Sequence, residues 1–204
     1  MFETTSLTIN KSAYQNNLKF IRQHIGEKVK FCSIVKGNAY GHGIAPFVAM
    51  AADCGVDYFG VYSADEAFEI KKTLTKNVSI MIMGMVAGES LDWAIANEVE
   101  FFVFDMEILQ AAVEVAQSQN KKCIIHLDFE TGMNRTGIER SDLRKVCDYV
   151  KAHQDAIYLK GVCTHYAGSE SYVNHERVQQ QIVNFNKAVE EISSYGLDPE
   201  YIHS

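Results

Sequence analysis

The 204-residue chain sets 26 acidic against 19 basic side chains, for a formal charge of −7. That balance excludes a general electrostatic affinity for nucleic acid or anionic membrane, because no surplus of Lys and Arg is available to offset phosphate charge. With 47% hydrophobic and 22% charged residues, the composition is that of a globular domain with a sizeable core, and a small-molecule substrate is the expectation.

In chain order, Met1-Phe2-Glu3-Thr4-Thr5 offers neither a basic leader nor an apolar run, and no window approaches the roughly 18 apolar residues of a membrane span. A cytoplasmic protein is expected. Leu7 to Asn10 is a candidate lone strand. Tyr14, Leu18, Ile21 and Ile25 then repeat at helical spacing. Short β-rich runs follow at Val29 to Val35, Tyr58 to Tyr62, Val78 to Met83, Glu100 to Phe104, Cys123 to Leu127 and Ile157 to Cys163. Each leads into a helical pattern. Most of these runs are apolar at consecutive positions, which suits parallel strands covered on both faces. Ser63-Ala-Asp-Glu66 reads as a capping box. Val178, Ile182, Phe185, Val189 and Ile192 form one apolar stripe of a last helix, stopped by Gly196 and Pro199. A seventh strand begins at Tyr201.

Six βα units and the start of a seventh leave an open doubly wound sheet or a (β/α)8 barrel, and the regular spacing favours the barrel. The expected fold class is therefore α/β, an incomplete TIM-type barrel of six to seven βα units, forming one domain over residues 1–204. Five cysteines, an odd number without a C-x-x-C pair, read as free thiols rather than disulfides or zinc ligands. His24, His153 and His175 lie in helical stretches, Trp93 reads as packing, and no His or Cys grouping has metal-ligand spacing.

The string Val35-Lys36-Gly37-Asn38-Ala39-Tyr40-Gly41-His42-Gly43 closes the first long strand. A lysine there sits at the carboxyl end of a barrel strand, where active sites of that fold are built, and Gly37, Gly41 and Gly43 permit tight backbone geometry. An amine must be neutral to attack an aldehyde, and desolvation at an apolar barrel mouth would favour that form. The string resembles the V-K-A-N-A-Y-G-H-G signature of alanine racemases, differing only at Gly37. The resemblance implies that Lys36 forms a Schiff base with pyridoxal 5′-phosphate and that Tyr40 hydrogen-bonds its phosphate; His42, part of the same string, reads as support for the loop.

A second string, His126-Leu-Asp128-Phe-Glu130-Thr131-Gly132-Met133-Asn134-Arg135-Thr-Gly137, resembles the family's K-x-D-T-G-M-x-R-x-G. It implies that Arg135 donates to the cofactor's phenolic oxygen and helps orient a substrate carboxylate, a task suited to a planar, permanently charged fork. The sequence departs from the pattern at two places. Asp128 stands where most members have a lysine that becomes carbamylated, and Glu130 replaces the family's aspartate. Asp128 is the expected partner of Arg135, without carbamylation. A third string, Gly161-Val-Cys-Thr164-His165-Tyr166-Ala167, is similar to G-x-x-T-H-F-A. It places His165 near the cofactor ring, tuning chemistry rather than performing it.

Together these resemblances imply an isomerase that interconverts L- and D-alanine, or another small amino acid such as serine, and supplies D-alanine for peptidoglycan. They imply Lys36, Arg135 and His165 as catalytic residues, and Lys36, Tyr40, Arg135 and His165 as cofactor contacts. The full-length enzyme is expected to be a homodimer, with no metal. In the family a tyrosine from a C-terminal β-domain of the partner serves the face of the substrate opposite the lysine. That domain is not expected within these 204 residues, which are expected to be inactive alone. Two other functions remain open: a non-enzymatic pyridoxal-phosphate-handling barrel, and decarboxylation or aldol cleavage on the same barrel.

Overall fold

The computed structural model describes residues 5–204. The reading of the chain start as leaderless rests partly on Met1 to Thr4, which lie outside the described residues. Two compact units divide the chain, one ending at Gly84 and the other spanning Met85–Ser204.

The first unit opens with α1 (Lys11–Ile25). Asn10 accepts the Ala13 N–H at 3.0 Å through its side chain, satisfying one of the amide donors that a helix start leaves open. This cap replaces the lone strand expected from Leu7 to Asn10: those residues have no strand partner and lead into the helix instead. Tyr14, Leu18, Ile21 and Ile25 are all half-buried, as one shared face requires.

Three parallel strands follow, β1 (Ser33–Ile34), β2 (Tyr58–Val61) and β3 (Ser79–Ile82), with Ser33 opposite Phe59 and Tyr58 opposite Ser79. The first strand is much shorter than the run from Val29 to Val35. Only Ser33 and Ile34 sit in register opposite β2 residues, and Val29 stays 51% exposed. Every residue of β2 is buried, consistent with parallel strands enclosed on both faces. The short α2 (Lys36–Tyr40) follows β1, and α3 (Ile44–Asp53) and α4 (Ala64–Thr73) bury Val48, Ala51, Ala67 and Ile70.

In the second unit β4 (Glu100–Val103), β5 (Cys123–Asp128), β6 (Ile157–Cys163) and β7 (Tyr201–His203) are parallel neighbours in chain order. Their helices are α5 (Glu89–Ala96), α6 (Met106–Ser118), α7 (Leu143–Ala152) and α8 (His175–Ser194). The stripe along α8 faces inward, with Phe185 and Ile192 buried, and the backbone turns at Gly196 with φ 75°. Among the described residues no helix is long and apolar enough to cross a membrane.

Candidate functional site

The apolar run of the first strand ends at Val35, which is fully buried and donates its N–H to the Gly60 carbonyl at 2.8 Å. The next residue, Lys36, starts α2, but this is not a right-handed helix. Gly37, Asn38, Ala39 and Tyr40 have φ of 62°, 55°, 54° and 53°, a left-handed turn. For an L-residue that conformation costs about 1–2 kcal/mol, so the surroundings must hold it. Gly37 takes the first position without a Cβ penalty.

Several bonds hold the rest. Ala39, almost fully buried, donates to the Val35 carbonyl at 2.8 Å. Asn38 accepts from Gly43 N at 2.9 Å through its carbonyl and from Ile44 N at 3.0 Å through its side chain. His42 Nδ1 lies 2.8 Å from the Ala39 carbonyl. The turn borders a cavity of about 470 Å³ lined by Lys36, Gly37, Tyr40, Tyr62, Ser63 and Glu66. Lys36 is exposed, and Tyr40 is 65% exposed. The burial expected to desolvate Lys36 is thus not found: between buried Val35 and buried Ala39 the turn leaves Lys36, Gly37 and Asn38 exposed. Another groove, of about 280 Å³, runs between α1 and Cys54–Val56 and contains no residue of the three strings.

In the second unit, β5 ends at Asp128, only 4% exposed. Burial pushes its carboxyl up to about 7. The Arg135 charge opposes that rise, as do hydrogen bonds from Cys163 Sγ at 3.8 Å and Thr136 Oγ1 at 3.5 Å. Arg135 itself is exposed. Among the described residues its guanidinium forms no ion pair within 4.0 Å, so it acts on Asp128 through space rather than as a paired fork. Glu130 holds the loop instead. Desolvation works against its ionised form, but the backbone N–H groups of Asn134, Gly132, Arg135 and Met133 outweigh it and lower its pKa. Gly132 N and Arg135 N donate to its two oxygens.

The strand β6 delivers Thr164, buried, and His165, exposed. Thr164 Oγ1 lies 2.7 Å from Thr131 Oγ1 and donates to the Phe129 carbonyl at 2.8 Å, linking the ends of β5 and β6. Helix α8 staples both. Fully buried Gln181 donates through Nε2 to the His165 carbonyl at 2.9 Å and to Thr131 Oγ1 at 3.3 Å, and Asn184 donates to the Thr131 carbonyl at 2.9 Å. The apolar stripe of α8 gave no hint of Gln181, because a single glutamine on a helix reads as a solvated residue.

A second buried polar cluster surrounds His126, which is fully buried. Its Nε2 lies 3.0 Å from Glu100 Oε2, and its Nδ1 lies 2.9 Å from His203 Nε2. Burial, and the neighbouring His126, press His203 down to about 3, so it is neutral at physiological pH. Residues from β4, β5 and β7 meet here, a grouping that sequence spacing does not announce. No group of three or more His, Cys, Asp or Glu suited to a metal occurs among the described residues.

The expected residues therefore fall into two sets. Lys36 and Tyr40 share one cavity. Arg135 and His165 lie on neighbouring strand-end loops of the second unit, joined through Thr131 and Gln181. The first set brings an amine-bearing and a phenol-bearing residue to the lining of one cavity, residue types able to hold an aldehyde-bearing phosphate ester.

Comparison with known proteins gives a consistent result. Residues 9–204 match the family model described as alanine racemase, N-terminal domain. An alanine racemase of Treponema denticola is 31% identical over 202 residues, covering 98% of this chain and 53% of that protein. One from Borreliella burgdorferi is 29% identical and covered to the same 53%. Among solved structures, an alanine racemase from D-cycloserine-producing Streptomyces lavendulae superposes with a TM-score of 0.87 at 25% identity, covering 95% of this chain and 50% of that one. The Bacillus anthracis enzyme with bound L-Ala-P gives 0.82 at 26% identity, over 95% and 49%. The chain thus spans about half the length of these relatives, and its fold class is the α/β barrel portion they share.

Proposed function

Because the chain belongs to the alanine racemase family, whose N-terminal domain it carries, we propose that it holds pyridoxal 5′-phosphate on Lys36 and serves an enzyme that interconverts L- and D-alanine. The observation that carries this reading is the left-handed turn at a strand end, which brings Lys36 and Tyr40 to the lining of one cavity. Pyridoxal phosphate, when bound, supplies the electron sink that makes the α-proton of an amino acid acidic.

The chain's own groups do the remaining work. The Lys36 amine would hold the cofactor through its aldehyde group and would move a proton on one face of the substrate α-carbon. The Tyr40 hydroxyl would hold the phosphate. The Arg135 guanidinium would hold the phenolic oxygen and orient a substrate carboxylate. His165, its backbone held by Gln181, would tune chemistry near the cofactor ring. The full-length enzyme acts as a homodimer in this reading, in the cytoplasm.

The test is borohydride reduction in the presence of pyridoxal phosphate, followed by mass mapping. The adduct is expected on Lys36 and lost in Lys36→Ala. An adduct carried by a different lysine, or one retained in the variant, would overturn the assignment.

A further inference from the structure

Glu66 reads from the sequence as the second half of a capping box, with its carboxylate turned back to the amide of Ser63. The structure uses it differently. Ser63 Oγ does accept the Glu66 N–H, at a long 3.4 Å. The carboxylate, however, reaches two other amides on separate oxygens: Asn38 N donates to Oε1 at 3.0 Å, and Tyr62 N donates to Oε2 at 2.9 Å. Asn38 is 28 residues away in the chain and lies inside the left-handed turn that follows Lys36.

We infer that Glu66 is a positioning residue for the lysine turn: by accepting the Asn38 and Tyr62 N–H groups together, its carboxylate holds Lys36 and Tyr40 on one side of their cavity. Three observations support this. The turn contains three consecutive non-glycine residues at positive φ, a strained arrangement that persists only where the surroundings oppose its release. Hydrogen bonds to an ionised acceptor are the stronger kind, and Asn38 N is a donor within the strained segment itself. The support for Glu66 is also rigid, since the adjacent Ala67 and Ile70 of α4 are fully buried.

Glu66 does not act by pairing with the lysine. No ion pair joins it to Lys36 among the described residues. Its effect passes through the backbone, to the direction in which Lys36 leaves β1. The cofactor part of this inference rests on the function proposed above, while the geometric part does not.

The experiment therefore has two arms. In the first, amide hydrogen exchange is followed without cofactor in the parent protein, Glu66→Ala, Glu66→Gln and Asp65→Ala. Gln keeps the volume and one acceptor, so it remains informative even where the Ala variant folds poorly. Exchange at Asn38 and Tyr62 is expected to quicken roughly tenfold in the Glu66 variants, the loss of about one charge-assisted hydrogen bond, with amides late in α4 unchanged and Asp65→Ala like the parent. In the second arm, borohydride trapping of pyridoxal phosphate at Lys36 and the induced circular dichroism of the bound cofactor are expected to fall in the order parent, Gln, Ala. Parental exchange at both Asn38 and Tyr62 in Glu66→Gln, or parental trapping and dichroism in Glu66→Ala, would overturn the inference. Failure of the parent itself to trap at Lys36 would instead sink the proposed function, and the exchange arm would still decide the role of Glu66.

Discussion

Asp128 occupies the position where the family signature has a lysine, and its surroundings decide what a carboxylate there can do. It is nearly enclosed, with Thr136 and Cys163 as hydrogen-bond donors and the charge of Arg135 acting at longer range. Burial raises its pKa from 3.8 to about 7. An unfolded chain releases this proton near the lower value and the folded chain near the higher one. Between them the native state binds more protons than the unfolded state, so stability falls as pH rises, by up to about 1.4 kcal/mol per pH unit. The contribution is most favourable below the unfolded value, and the full penalty is present once pH exceeds 7. Asp128→Asn removes the titration. Its stability curve from denaturant unfolding is expected to be flatter between pH 4 and 7 and to lie above the parent's at pH 8. An unchanged slope would mean that Asp128 is ionised throughout that range. The same titration bears on Arg135, which faces a full negative charge only above neutrality.

At the scale of elements, β5 and β6 show how one residue sets a register. Ile125 pairs with Leu159, but His126 pairs with Gly161, so Lys160 is bulged out between them. A bulge re-aims the extra side chain. Lys160 turns to Glu200, with Nζ 2.7 Å from its carboxylate and about 5 Å from the ring centres of Tyr158 and Tyr201. Gly161 is needed because the His126 ring lies over it. A Cβ there would sit 2.3 Å from His126 Nδ1 and 2.8 Å from its Cε1. The ring cannot easily withdraw, since Glu100 and His203 hold its two nitrogens. Gly161→Ala is therefore expected to destabilise the protein by about 1–3 kcal/mol, the usual cost of overpacking, read as a lower denaturation midpoint. A midpoint equal to the parent's would show that the His126 cluster can shift freely. The glycine of the G-x-x-T-H string is thus a packing requirement of the strand pair.

Over the whole molecule, the cysteines report on the core. Cys123, Cys147 and Cys163 are buried, whereas Cys32 and Cys54 are half-buried. Burial pushes Cys123 up to about 12 and Cys147 up to about 11, and raises Cys163 further from its reactive form with help from Asp128. Since the thiolate is the nucleophile, these three are expected to react slowly in the native state. A thiol-specific reagent at pH 8 is expected to modify at most two of the five cysteines in native protein and all five in denaturant. Rapid modification of a third native thiol would locate an opening in the strand core.

What the sequence determined by itself was repetitive or contiguous. Strand and helix alternation, the stripe on α8, the Ser63 cap and the three strings at strand ends were all legible, because burial recurs along an element at its own period and local caps act over three or four residues. Only the tertiary structure decided which distant groups meet. Glu66 binds Asn38 instead of completing its own cap, Gln181 joins two loops from inside a helix face, and Glu100, His126 and His203 converge from three strands. It likewise decided that Lys36 is exposed, and that Asp128 takes Thr136 and Cys163 as donors while Arg135 stays in solvent. These outcomes depend on strand register and on approaches of a few ångströms between residues far apart in the chain. Periodicity records which face is buried, but it carries no information about which atom lies across from it.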